Sequence, residues 1–284
     1  MKPTFLSHFL TPILLFCGVA TLPLQAQSYK DPTLSPEERT TDLLRRMTLE
    51  EKIAQIRHIH SWNIFDEQDL NETKLQEFVG DLCWGFVEGF PLTGESCHRH
   101  MRRIQEYMVK HTRLGIPVFT VAEALHGSVH EGSTIYPQNI ALASTFNPEL
   151  MEKIGEETAL EMRQRGLFWT FAPNLDIARD ARWGRMGETF GEDALLTSEM
   201  GKYAIWGFQG RDGKYSGNHV VACAKHLIAG GEPAGGLNAA PMDISERKLR
   251  ELYLPPFVAA IRDAKVGTVM AAHNEINGIP CHGN

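Results

Sequence analysis

Charged and amide side chains follow four apolar segments of the sequence, each at the segment's C-terminal end. The four groups are Glu123 with His126, Asn174 with Asp176, Lys225 with His226, and His273 with Asn274 and Glu275. Carboxylates accept hydrogen bonds from vicinal hydroxyl groups, and cationic side chains donate to the oxygens of the same hydroxyls. This mixture of side chains favours a neutral polyol such as a sugar as the ligand.

Other kinds of site require patterns that the sequence does not contain. A phosphate site would use glycine-rich backbone donors at a helix N-terminus, and a dinucleotide site would show GxGxxG after the first strand. The first strand candidate instead runs into GFPLTGESCH, and no GxSxG is present for a nucleophilic serine. His126 and His130 are four residues apart, but Gly127 and Gly132 disfavour a helix there and no HExxH occurs. Neither a metal site nor a cofactor is predicted.

The stretch RDARWGRMGETFGED, residues 179–193, carries seven charged side chains in fifteen residues. It combines arginines and carboxylates with glycines and one tryptophan, which is unsuitable for a buried core. Such a loop could carry a catalytic carboxylate or hold a ligand. We therefore treat it as a functional segment.

Short apolar runs alternate with amphipathic helical patterns along the chain. Strands are predicted at residues 82–88, 116–122, 167–173, 219–225 and 266–272. Helices are predicted at residues 95–113, 147–165, 192–209 and 245–263, after two earlier helices that begin at capping boxes at Ser35 and Thr48. Pro255 and Pro256 predict that the 245–263 helix is kinked or divided in two.

This alternation predicts an α/β fold with a parallel sheet covered on both faces. An open doubly wound sheet and a closed barrel both fit the order of elements. The polar residues at the strand C-termini favour a (β/α)8 barrel like that of triosephosphate isomerase (a TIM barrel), because its active site is built from those ends. Only five strands are predicted, so the barrel is expected to be incomplete in this chain.

The first residues resemble an export signal. Lys2 precedes an apolar run from Ile13 to Leu22 that is shorter than the ~20 residues of a membrane span. We predict a signal peptide at residues 1–26, a linker at 27–34 and one domain at 35–284, with export to the periplasm or the extracellular space and no membrane span.

The net charge and the spacing of the cysteines argue against two further classes of protein, nucleic-acid-binding proteins and proteins held together by a disulfide framework or a zinc site. The net charge of −7 without a basic run argues against a nucleic-acid partner. The cysteines beyond residue 26 have neither CxxC pairing nor regular spacing, and they are predicted to be mostly buried apolar side chains with at most one disulfide. The paired histidines at 58 and 60 and at 98 and 100 are predicted on solvated surfaces of helices or loops.

Four motifs together resemble the family 3 glycoside hydrolases. They are AEALHG (122–127), APNLDIARDARWGRMGETFGED (172–193), AKHL (224–227) and VMAAHNEINGIPCHGN (269–284). The resemblance begins at the TLEEKIAQ helix and extends over nearly the whole mature chain. It is strongest to the secreted β-glucosidase and β-xylosidase branch. The β-N-acetylglucosaminidase branch carries an Asp-x-His element after KH, which LIAGGEPAGGLNAAP lacks.

The resemblance implies a retaining exo-β-glycosidase whose substrate is an oligosaccharide or another β-glycoside. It assigns substrate binding to Glu123, Arg185, Lys225, His226 and His273. Two of these positions depart from the family pattern, because Glu123 stands where many members have Asp and His273 where many have Tyr. The loop 179–193 would then follow the third strand and hold the sugar through Arg185.

The resemblance also implies where the bond-breaking residues are. Retaining hydrolysis requires two carboxyl groups about 5 Å apart. The family's aspartate nucleophile follows a strand beyond the NEING segment and its acid/base lies farther on, so no catalytic residue is expected within these 284 residues. We expect the N-terminal part of a secreted β-glucosidase, with a β-xylosidase as the alternative. A third possibility is a non-catalytic sugar-binding fragment.

Overall fold

The computed structural model describes residues 27–88, 93–215 and 217–284 of the chain. The described residues divide into two compact units, one ending at Thr48 and one spanning Leu49–Asn284. The predicted signal peptide at residues 1–26 lies outside the described residues. No helix within the described residues is both long and apolar enough to cross a membrane.

In the described part of the first unit, residues 27–48, there is one α-helix with a short turn before it. α1 (Pro36–Arg46) begins with the predicted capping box, in which Ser35 accepts from the Glu38 amide and the Glu38 carboxylate accepts from the Ser35 amide. Residues Ser28–Lys30 form a short 3-10 turn. Asp42 of α1 accepts a hydrogen bond at 3.0 Å from the backbone of that turn, which fixes the turn against the helix.

Within the residues that the structure describes, the second unit is organised around six parallel strands. Its strands in chain order are β1 (His58–His60), β2 (Phe65–Asp66), β3 (Asp69–Leu70), β4 (Phe86–Glu88), β5 (Phe119–Ala122), β6 (Trp169–Thr170), β7 (Cys223–Leu227), β8 (Thr268–Ala271), β9 (Glu275–Ile276) and β10 (Ile279–Pro280). The parallel order is β1-β4-β5-β6 in one sheet and β7-β8 in another. Single bridges from Trp169 to Val221 and from Asn174 to Lys225 link the two sheets.

The parallel α/β fold predicted from the sequence is confirmed. Within the described ranges no pairing joins β8 back to β1, so the six strands form an open part of a barrel. The two other strand pairs, β2 with β3 and β9 with β10, are short antiparallel hairpins.

The predicted helices of this unit are present with small shifts at their ends, as α2 (Leu49–Gln55), α4 (Gly94–His111), α6 (Pro148–Gln164), α7 (Ala194–Gln209), and α8 (Glu246–Lys248) followed by α9 (Leu254–Arg262). Two short helices, α3 (Glu72–Val79) and α5 (Asn139–Ala143), were not predicted. The side chains of Thr93, Asn147 and Asp193 cap α4, α6 and α7. Such caps satisfy amide groups that a helix start leaves unpaired.

The proline pair does not divide the last helical segment by a loop. A π-helical turn, Leu249–Tyr253, joins α8 directly to α9, and Pro255 and Pro256 fall in the first turn of α9. The helical segment therefore continues through both prolines, with the wider π-helical turn immediately before them.

One parallel strand was not predicted. In β1 only Ile59 is apolar and fully buried, while His58 is exposed. A single apolar residue is too little to show the alternating apolar and polar pattern by which a half-buried strand is recognised in a sequence. Because β1 precedes the other parallel strands, residues 179–193 follow the fourth parallel strand and not the third.

The histidine prediction was also wrong in part. His60 lies on β1 with Nε2 at 3.4 Å from a carboxylate oxygen of Glu88. His100 is completely buried on the inner face of α4, where the ring packs edge-on against Phe65. The helical period places position 100 on the same face as the buried Cys97 and Ile104, which explains its burial.

Candidate functional site

A buried lysine and a partly exposed glutamate form the first part of the site. Lys225 on β7 is 1% exposed, and its Nζ donates to both carboxylate oxygens of Glu123 at 2.8 and 2.7 Å. Glu123 follows β5, and its side chain is 38% exposed. The lysine therefore holds the carboxylate at the C-terminal edge of the sheet, where the Glu123 side chain is partly exposed.

A histidine and an aspartate form a second pair beside the first. His226 Nδ1 lies 2.7 Å from Asp176 Oδ2, and both residues are buried. The strand ends are aligned by backbone hydrogen bonds from Cys223 N to Ala172 O at 2.8 Å and from Lys225 N to Pro173 O at 3.1 Å. Those bonds bring Asp176 next to His226, although the two are 50 positions apart.

The arginine of the charged loop completes the cluster. Arg185 Nε and Nη2 each donate at 2.8 Å to the two carboxylate oxygens of Glu188, which is the parallel fork geometry. Nη2 also lies 3.5 Å from His226 Nε2. Because arginine can only donate, Nε2 is the acceptor of this contact and the His226 proton is on Nδ1, facing Asp176.

The Arg185–Glu188 pair changes the pKa of both partners. The hydrogen bonds that Arg185 donates to Glu188 raise the pKa of Arg185, with burial opposing them. Burial alone would raise the pKa of Glu188, but the hydrogen bond and charge of Arg185, with smaller effects of Lys225 and Asn174, outweigh it. The pKa of Glu188 is therefore below its usual value, and the carboxylate is ionised at neutral pH.

This lowered pKa predicts a pH-dependent contribution of Glu188 to stability. A depressed folded-state pKa adds stability above the unfolded-state value, about 4.3, and that stability is lost as pH falls through the folded pKa. We expect Glu188→Gln to lower the free energy of unfolding by about 1 to 2 kcal/mol at pH 7. Urea unfolding of both proteins between pH 7 and pH 3 should show the difference shrinking at acid pH. A difference independent of pH would contradict this assignment.

The loop 179–193 is fixed by neighbours from distant parts of the chain. Asn139 of α5 donates at 3.0 Å to the backbone oxygen of Glu188. Trp183 is buried, and its Nε1 donates at 2.8 Å to Asn238 Oδ1. The Arg185 guanidinium lies 5.7 Å from the centre of the Trp183 ring. These contacts hold Arg185 at the cleft.

The loop after His226 is anchored separately. Glu232 accepts from Lys248 Nζ at 2.8 Å and from the hydroxyl group of Tyr253. Burial would raise the pKa of Glu232, but the hydrogen bonds from Lys248 and Tyr253 keep it below the usual value. Burial and the same hydrogen bond raise the pKa of Tyr253, so both groups stay in the state that forms the bond.

A small cleft of about 30 Å³ lies between the charged loop and the strand ends. Its lining includes Asp176, Trp183, Arg185, Gly230, Asn238 and Asn274, together with His226 and His273. That volume accommodates about one water molecule. A ring the size of a monosaccharide is too large for this space.

The predicted site residues are placed as two contacting pairs and one neighbour. Glu123 contacts Lys225, and Arg185 contacts His226. His273 is exposed at the cleft, and its ring centre lies 5.2 Å from that of His282.

Histidines of the loop after β5 have structural contacts. His126 Nδ1 lies 3.0 Å from the Tyr136 carbonyl oxygen. His130 is buried with Nδ1 at 2.7 Å from Ser128 Oγ, and burial, with the nearby charge of Arg165, lowers its pKa to about 4. A neutral, buried His130 is suited to packing. Within the described residues, no group of three His, Cys, Asp or Glu side chains could hold a metal ion.

Asn139 and Asn238 were not predicted as residues of the site, whereas Asn274 was among the polar residues predicted to follow a strand. Asn139, Asn238 and Asn274 each contact a residue far away in the sequence. A short polar residue in a loop has no periodic pattern, so nothing in the sequence indicated a role for Asn139 or Asn238.

Comparison with known proteins identifies the family. The model of the glycosyl hydrolase family 3 N-terminal domain matches residues 48–284. A putative beta-xylosidase of Formosa agariphila is 37% identical over the whole chain and 38% of its own length. A periplasmic beta-glucosidase of Salmonella typhimurium is 35% identical over 87% of the chain and 31% of its own length.

A solved structure shows the same fold. A beta-glucosidase from Erythrobacter marinus superposes with a TM-score of 0.81 and 35% identity, over 90% of this chain and 34% of that protein. The chain thus spans about a third of the length of these relatives. The resemblance seen in the sequence motifs is confirmed, and the chain belongs to glycosyl hydrolase family 3, whose N-terminal domain it matches from residue 48 onward.

Proposed function

We propose that this chain provides the sugar-holding part of an exo-β-glycosidase that removes terminal β-D-glucosyl or β-D-xylosyl residues. The observation that carries the proposal is the side-by-side arrangement of the Lys225–Glu123 and Arg185–His226 contacts at the strand C-termini. Donors and acceptors alternate along this edge, as the hydroxyl groups of a sugar ring require.

Lys225, Arg185 and Glu123 have hydrogen-bonding capacity beyond their partners in the cluster. Lys225 has three N–H donors and Glu123 accepts two, which leaves one for a sugar hydroxyl. Arg185 uses Nε and Nη2, so Nη1 can also donate. The exposed oxygens of Glu123 accept from hydroxyl protons. We assign these three residues, with His226 and His273, to binding of the terminal sugar.

We further propose that the nucleophile and the acid/base lie outside these 284 residues. The carboxylates of the cluster are each engaged by a basic side chain: Glu123 by Lys225, Glu188 by Arg185 and Asp176 by His226. Such pairing favours a binding and positioning role over covalent attack on a sugar. The family pattern supports the same division of roles.

We keep both glucosides and xylosides as proposed substrates because the relatives are named for different activities. The relative from Formosa agariphila is named a putative beta-xylosidase, and the one from Salmonella typhimurium a periplasmic beta-glucosidase. Their identities to this chain, 37% and 35%, are too similar to favour one sugar over the other.

An assay with two chain lengths tests this function. The 284-residue chain and a longer protein that carries it, of the relatives' length, are compared on p-nitrophenyl β-D-glucoside and β-D-xyloside. We expect turnover of at least one substrate by the longer protein and none by the 284 residues alone. Turnover by the short chain would refute the placement of the nucleophile, and failure of the longer protein on both substrates would refute the glycosidase function.

We also propose that residues 1–26 direct export. The charged start and the short apolar run of this segment support the proposal, as does the relative that is named periplasmic. Mass spectrometry of the protein recovered from the periplasm should find a new N-terminus near Gln27. An intact Met1 in that fraction would argue against cleavage.

A further inference from the structure

Two buried oxygen atoms at the cleft have no hydrogen-bond partner among the residues that the structure describes. Asp176 accepts from His226 with Oδ2, and its Oδ1 is one of these atoms. The other is Asn274 Oδ1. Asp176 is 1% exposed and Asn274 is 3% exposed, so bulk solvent does not satisfy them. Buried acceptors without a donor are rare in native proteins because they are strongly unfavourable.

The orientation of the Asn274 amide is set by its own hydrogen bonds. Its Nδ2 donates to the carbonyl oxygens of Ile228 at 3.3 Å and Glu275 at 3.4 Å. Turning the amide over would place Oδ1 against two carbonyl oxygens, which cannot donate. Asn274 therefore presents an acceptor to the cleft and cannot supply the donor that Asp176 Oδ1 lacks.

Both oxygens face the same point, beside a glycine. A Cβ atom on Gly230 would lie 3.5 Å from Asp176 Oδ1 and 3.7 Å from Asn274 Oδ1. All three residues line the cleft of about 30 Å³. A water molecule requires about 10–15 Å³, so this space can hold one. The absence of a side chain at position 230 thus leaves a polar space in which a water molecule fits.

We propose that Asp176, Asn274 and Gly230 bind one water molecule, and that this water makes Asp176 the positioning residue of His226. A water molecule offers two O–H donors, and the space presents two acceptors. With Oδ1 paired to the water, Asp176 stays fixed with Oδ2 toward His226 Nδ1. His226 then keeps its proton on Nδ1 and presents Nε2 to Arg185, 3.5 Å away. This water site does not depend on the proposed sugar substrate.

The variant Gly230→Ala tests the water site directly. The added methyl group takes the water's place at ordinary van der Waals distance from both oxygens. Gly230 is not among the glycines with positive φ, so alanine adds no backbone strain. We expect the unfolding equilibrium constant to rise about tenfold or more. We also expect the ¹⁵N resonances of His226 to move from a single Nδ1–H tautomer toward a mixture.

A matched control and a second variant separate positioning from general destabilisation. Gly283→Ala adds the same methyl group in open space, and both readouts should match the parent chain. Asp176→Asn preserves the shape of the side chain but removes the ionised acceptor, so the Nδ1–H preference of His226 should be lost even if the variant folds normally.

Two results would overturn the proposal. One is Gly230→Ala with unchanged stability and unchanged His226 resonances. The other is a stabilising effect of Na⁺ or K⁺, relative to choline at equal ionic strength, that the parent chain shows and Gly230→Ala does not. The bound species would then be a cation and not water. A crystal structure with one water within hydrogen-bonding distance of both oxygens would support the proposal.

Discussion

Replacing Lys225 with alanine is expected to reduce kcat/KM of the complete enzyme by about 30- to 1000-fold, equivalent to about 2–4 kcal/mol. Lys225 is almost fully buried and holds Glu123 through two hydrogen bonds, so its loss removes a donor to the sugar and leaves Glu123 without its counter-ion. Steady-state kinetics on the p-nitrophenyl glycosides measures the effect.

Two comparisons show whether the Lys225 effect comes from the site. Lys225→Met fills the space without the charge and should lose activity to a similar extent, while urea unfolding reports whether the protein still folds. Lys74→Ala breaks the exposed ion pair with Asp66 and should leave kcat/KM unchanged. Full activity in a folded Lys225→Met protein would remove Lys225 from the sugar site.

Replacing Arg185 with alanine is expected to reduce kcat/KM by a similar 2–4 kcal/mol, or about 30- to 1000-fold. Arg185 makes the two-bond fork to Glu188 and contacts His226, so its removal disconnects the charged loop from the β7 end. Arg185→Lys should recover little of the loss, because an ammonium group cannot form the fork. Kinetics of both variants on the preferred glycoside tests this.

The control for Arg185 lies in the same loop. Arg182 is exposed and pairs with Asp180 two positions away, so Arg182→Ala should retain the activity of the parent enzyme. If Arg185→Ala and Arg182→Ala had the same small effect, the loop would have only a structural role.

The sheet and its polar edge were predictable because each depends on a local pattern. The apolar run before Lys225 and the one before Glu123 identify strands, and polar residues directly after them must lie at one edge of a parallel sheet. The capping box at Ser35 predicted the start of α1 in the same way. β1 was missed because its pattern, a single isoleucine between two histidines, is too short to indicate a strand.

The detailed geometry of the site could not be predicted, because it depends on long-range contacts. The sequence places Arg185 and Glu188 in one loop, and their pairing follows from proximity. Nothing local indicates that Asp176 pairs with His226 or that Asn139 supports the loop, since loop packing over 49 or 50 positions sets both contacts. The converging oxygens beside Gly230 are likewise visible only in three dimensions.

A crystal structure of the complete enzyme with bound glucose or xylose tests the central claim most directly. We predict that hydroxyl groups of the sugar lie within hydrogen-bonding distance of Lys225 Nζ, the Arg185 guanidinium and a carboxylate oxygen of Glu123. A sugar bound elsewhere in the barrel, with these three side chains contacting only one another and solvent, would contradict the claim that the strand ends of this chain hold the substrate.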